Sequence, residues 1–138
     1  MHRQTRNWRP TLLGGLLMAI LTAAAANPSG TLQGQWSGDQ VRLVIDVQGG
    51  RMVTGCADGS FSGPLALAAD GSFGVDGVFE HHPPGPQRAD AEAPHAQARF
   101  SGEVREGRMT LRILPVGAGQ ALIFTLREGQ GAKIVRCR

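Results

Sequence analysis

Apolar and polar positions alternate without a break from Val41 to Val47. Val41, Leu43, Ile45 and Val47 fall on one side, Arg42 and Asp46 on the other. A period of two over seven residues is the pattern of a half-buried β-strand, because successive strand side chains point to opposite faces. The rhythm recurs downstream. Phe73, Val75 and Phe79 oppose Asp76 and Glu80, with Gly77 on the apolar side. Phe100 and Val104 oppose Arg99, Glu103 and Arg105, and Met109, Leu111 and Ile113 alternate with Arg108, Thr110 and Arg112. The pattern predicts strands at 32–36, 41–48, 51–56, 60–67, 72–80, 97–105, 108–114, 120–127 and 132–137.

Short turns such as Gln48-Gly49-Gly50, Ala69-Asp70-Gly71 and Glu106-Gly107 separate these strands, as consecutive antiparallel hairpins require. ADGSFSG at 57–63 returns as ADGSFGV at 69–75, a repeat of hairpin grammar rather than of a domain. After Asn27 no stretch of ten or more residues has a helical period. These one-sided strands predict an all-β fold, a small antiparallel up-and-down β-barrel of about eight strands with no long open edge. A flattened two-sheet sandwich satisfies the same pattern almost as well. The Pro-rich stretch 81–96, HHPPGPQRADAEAPHA, has no core-forming residue and is expected to be a mobile surface loop.

The first residues do not belong to this pattern. Arg3, Arg6 and Arg9 precede an apolar run that ends in small residues before Asn27, the order of a signal peptide. Residues 1–26 are expected to be removed by cleavage after Ala26, leaving 27–138 as a single domain without a transmembrane segment. The leader also changes the charge balance. Of 14 Lys+Arg, three are in the leader, leaving 11 against 11 Asp+Glu and a formal net charge of zero. The basic character of the whole chain therefore gives no reason to expect nucleic acid as a partner.

Cys56 and Cys137 are the only cysteines, and both survive processing. In a small exported domain an even count predicts a disulfide, here tying the last strand to the third. The chain is thus expected to be periplasmic or secreted.

Gly34-Gln35-Trp36 on the first strand, the up-and-down series and a basic residue in the last strand resemble the calycin superfamily, which includes lipocalins, avidins and small periplasmic metalloprotease inhibitors. The resemblance implies a tryptophan that closes one barrel end, with a late basic residue packed across it. Trp36 takes the first place, and Arg136 or Lys133 the second. Avidin-type biotin pockets need several tryptophans and a tyrosine; this chain has no tyrosine and no tryptophan after Trp36. Lipocalin pockets generally need a longer chain. The inhibitors match best in size and export, although residues 27–31, NPSGT, make a short arm for insertion into a protease cleft.

Candidate chemistry is sparse. His81, His82 and His95 are the natural place to look for a metal site, but adjacent extended residues point apart and no acid or thiol completes a ligand set, so no metal or other cofactor is expected. No nucleophile, base and oxyanion site come together in the pattern, and Asp46, Asp76 and Glu80 are expected to face solvent. Arg99, Arg105, Arg108 and Arg112 fall on one face of a hairpin and form a candidate surface for an anionic polysaccharide or lipid head group. The expectation is an exported, monomeric, non-catalytic binding protein for another protein or a small apolar ligand. The alternatives are an inhibitor of an exported hydrolase and an envelope-interaction module using the arginine face.

Overall fold

The structure, a computed structural model, describes residues 30–86, 88–90, 95–129 and 131–137. The expected leader and its cleavage site lie outside the described residues. Alternation and turns together produce ten strands: β1 (Gly30–Leu32), β2 (Gly34–Gly38), β3 (Val41–Asp46), β4 (Gly49–Thr54), β5 (Ala57–Ser62), β6 (Leu65–Leu67), β7 (Ser72–His81), β8 (His95–Arg105), β9 (Arg108–Pro115) and β10 (Leu122–Glu128). Eight of them form a closed antiparallel barrel in the order β10-β2-β3-β4-β5-β7-β8-β9. Closure comes from Arg127 and Glu128 of β10 pairing with Ser37 and Trp36 of β2. β1 and β6 form a separate two-stranded sheet.

The turns show why the chain reverses where it does. Glu106 and Gly107 both have positive φ, 50° and 71°, and join Arg105 to its partner Arg108. Positive φ at both central residues is the hairpin geometry whose twist matches that of the strands. Between β3 and β4, Asp46 Oδ1 accepts hydrogen bonds from the N–H groups of Gln48 and Gly49 at 2.8 and 3.1 Å. Asp70 Oδ1 accepts from the Ser72 hydroxyl and N–H. These bonds hold its carboxyl below the usual 3.8. A depressed carboxylate pKa stabilises the turn above the ordinary value, and that contribution fades as pH falls through the lower one.

The inward face of every barrel strand is packed. Trp36, Leu43, Met52, Phe100, Met109, Leu111, Ile113 and Leu126 are among the largest fully buried side chains. Glycines leave the space that the aromatic rings fill. A Cβ at Gly50 would overlap the Phe61 ring, and one at Gly77 would clash with the Ser60 carbonyl oxygen and lie 2.9 Å from Phe100 Cε2. A Cβ at Gly59 would lie 3.0 Å from Phe100 Cζ, and one at Gly102 would clash with the Thr110 carbonyl oxygen and lie 3.0 Å from Phe73 Cζ. Phe61 and Phe100 meet with centroids 5.6 Å apart at 58°, a tilted aromatic pair. Leu32 and Leu65 pair in register and are both buried, so the β1–β6 sheet covers the barrel end where β4 begins and β5 ends.

Several expectations are corrected. The strand expected over 60–67 is divided at Gly63-Pro64. Gly63 has φ +83°, and Pro64 has no N–H for a ladder, so β6 leaves the barrel to meet β1. Val47 lies in a turn and is 61% exposed instead of continuing the inward face. The loop expected over 81–96 is shorter, because His81 and His95 still belong to β7 and β8 and Glu80 pairs with His95. No strand forms over 132–137.

Instead, the C-terminal segment crosses the barrel end opposite the β1–β6 sheet. Val135 N–H donates to Gln40 Oε1 at 2.8 Å, and Cys137 N–H donates to the Gly55 carbonyl at 2.9 Å. Cys137 is disulfide-bonded to Cys56, with Cα atoms 5.2 Å apart. The bond therefore ties a strandless segment to the β4–β5 turn, where the Thr54 hydroxyl accepts from the N–H groups of Cys56 and Ala57. Among the described residues, no helix is long and apolar enough to cross a membrane.

Candidate functional site

Because the inward positions are filled with side chains, the candidate surfaces lie on the outside of the wall. The β8–β9 hairpin does place Arg99, Arg105, Arg108 and Arg112 on one outward face, but they do not act as one group. Arg99 Nη1 lies 3.1 Å from Asp76 Oδ1 across the β7–β8 pair. Arg112 pairs with Ile123 in the next strand and sits two residues from exposed Leu114. Arg105 and Arg108 are direct cross-strand partners, and Arg108 is in turn the partner of Arg127. These three arginines line a concavity of about 470 Å³ with Glu103, Glu106 and Thr110. Glu103 is 3.4 Å from Arg105, so the acids sit at one end of the row.

Sequence reasoning did not find Arg127. Its signal lies in the β9–β10 register, which sets Arg127 opposite Arg108. Barrel closure continues the row, with Ser37 opposite Arg127 and Arg42 opposite Ser37.

Trp36 occupies the expected interior place, only 2% exposed, with an indole N–H that has no hydrogen-bond partner among the described residues. Arg136 does not pack across it. Arg136 is exposed and lines an outer groove with Val53, Asp58 and Glu80, because the C-terminal segment is tied to the β4–β5 turn and does not enter the sheet. In the adjoining hollow, His82 Nε2 lies 2.9 Å from Asp58 Oδ2. His81 pairs with Ala57 and His95 with Glu80, which puts the three histidines on different registers. Among the described residues no group of three or more His, Cys, Asp or Glu is arranged to hold a metal ion. Asp46 caps a turn and Asp76 pairs with Arg99; each acid has a structural partner.

The β9–β10 hairpin is the second surface that the periodicity missed. Between Arg112 and Arg127 the chain has no charged residue. Of eight exposed large hydrophobic residues among the described residues, four belong to this hairpin: Leu114, Val116 (75%), Leu122 and Ile123 (64%). Four of eight on one short hairpin is clustering, unlike the single exposed apolar residues found on any surface. A Cβ added at Gly117 or Gly119 would meet nothing within 4 Å, so the tip stands clear of the barrel.

The chain matches no protein-family model, no curated protein and no solved structure. The calycin resemblance extends to a closed eight-strand antiparallel barrel, which is the fold observed.

Proposed function

We propose that this is an exported, non-catalytic binding protein whose partner is another protein held on the outer surface of the barrel. The carrying observation is the packed interior. Phe61, Phe73 and Phe100 occupy the space over glycines that a ligand-carrying barrel would leave open. That packing favours a protein partner over an apolar ligand held inside. The disulfide supports an oxidising compartment, periplasmic or secreted. The uncharged β9–β10 tip is the contact surface, since exposed apolar clusters of this kind mark interaction sites.

A specific form of this reading is inhibition of an exported hydrolase. A free-standing apolar tip with glycines on both sides of Ala118 is suited to entering an enzyme cleft. The test is a pull-down from periplasmic or culture extract with the mature, disulfide-intact chain. One protein is expected at stoichiometric yield. The Val116→Asp/Ile123→Asp double variant is expected to lose it while keeping its unfolding free energy within about 1 kcal/mol, as surface substitutions do. Recovery of an apolar small molecule in place of a protein, or retention of the partner by the double variant, contradicts the proposal.

A further inference from the structure

We propose that the outer wall across β8, β9, β10, β2 and β3 is a binding site for an extended anionic polysaccharide. The register places Arg105, Arg108, Arg127, Ser37 and Arg42 in one continuous cross-strand row. Neighbouring strands lie about 4.8 Å apart, so the row spans about 19 Å. Like charges directly opposite each other in a sheet are destabilising. Arg105–Arg108 and Arg108–Arg127 are two such oppositions in succession. Glu103 engages Arg105 alone; Arg108, Arg127 and Arg42 have no ion pair among the described residues. A row assembled against its own repulsion, with its acids at the Arg105 end alone, is complementary to a ligand that brings several anionic groups in line.

Ser37 supplies an independent observation. It alternates with inward-facing Trp36 and so belongs to the outward row between Arg127 and Arg42. It is 2% exposed, and its hydroxyl has no hydrogen-bond partner among the described residues. A buried hydroxyl without a partner costs free energy. An oxygen of a ligand seated between Arg127 and Arg42 would supply the missing partner.

The chemistry selects the polymer. The row has no exposed aromatic ring on which a nucleobase could stack. A closed barrel has no free strand edge to which an acidic peptide could add. Thr110 lies in the same concavity as the arginines and Thr125 is its cross-strand partner, so hydroxyl groups of the kind that bond to sugar hydroxyls border the charged row. The proposal does not rest on the β9–β10 tip, which uses other residues.

The test measures binding of the mature, disulfide-intact chain to immobilised polyuronate, with neutral dextran, inorganic phosphate and vesicles of anionic phospholipid as parallel probes. Saturable binding to polyuronate is expected at about 50 mM NaCl, falling with added salt. Arg108→Gln and Arg127→Gln are each expected to weaken it about tenfold, the scale of a charged hydrogen bond. Each should also lower the steepness of the salt dependence by about one unit. Ser37→Ala is expected to weaken binding while leaving the melting temperature unchanged or raised. Arg99→Gln and Arg112→Gln, on the same hairpin but outside the row, should leave it unchanged. Equal loss in those two variants, absence of polyuronate binding, or binding to the vesicles alone overturns the proposal.

Discussion

Phe100→Ala is expected to lower the unfolding free energy by about 3–5 kcal/mol, the range for large aromatic deletions in a packed core. That is a large part of the roughly 5–15 kcal/mol that stabilises a domain of this size. Phe100 is fully buried and its ring serves three neighbours at once. It packs against Phe61, and it covers both Gly59 and Gly77. Glycines on two adjacent strands cannot close over the vacancy, because they have no side chains to move into it. The site therefore collapses poorly, which places the cost toward the upper end. Urea unfolding followed by circular dichroism measures the change. Phe100→Leu, which restores much of the volume, is expected to recover more than half of the loss. A change below about 1 kcal/mol for Phe100→Ala would mean that the ring does not fill the barrel.

Removing the disulfide is the second large effect. Cys56 and Cys137 are 81 residues apart, so the bond closes most of the described chain into one loop. Chain-entropy arguments give about 4 kcal/mol for such a loop, acting through the unfolded ensemble. In the folded state the Cys56→Ala/Cys137→Ala variant retains, among the described residues, the Val135–Gln40 hydrogen bond and the backbone bond from residue 137 to Gly55 to hold its C-terminal segment. Two exposed hydrogen bonds do not replace a covalent tether, so the segment is expected to detach while the barrel ladder stays intact. The expected loss is about 2–4 kcal/mol, or a fall in melting temperature on the order of 10–20 °C. Reduction of the unmodified chain should reproduce it. In the alanine background, deletion of residues 131–138 should cost little more. A substantial extra cost would show that the segment packs on the wall independently of the bond.

The barrel was legible because its strands are one-sided. Met109, Leu111 and Ile113, and Phe73 and Phe79, are buried as their alternation requires. Turn chemistry was equally readable at Glu106-Gly107, where two positive φ values need permissive residues or a tight hairpin. What escaped the sequence is what depends on contacts distant along the chain. Nothing in 60–67 announces that Leu65 pairs with Leu32, although Gly63-Pro64 contains the signal for a break. The C-terminal residues alternate weakly enough to suggest a strand, but the neighbouring places at β2 and β9 are already taken by β10. The candidate surfaces were half visible for the same reason. Arg105 and Arg108 share a hairpin and could be grouped from spacing alone. Arg127 joins them through the β9–β10 register, and Ser37 and Arg42 only through barrel closure.

The packed interior is the central claim, and titration of the native, disulfide-intact chain with a small apolar fluorophore tests it most directly. The packing over Gly50, Gly59, Gly77 and Gly102 predicts no saturable site in the native protein. Phe100→Ala should acquire one, since an apolar cavity of aromatic size stays dry and accepts apolar guests. Saturable binding of one equivalent by the native chain, unchanged in Phe100→Ala, would contradict the filled barrel and with it the assignment of the partner to the outer wall.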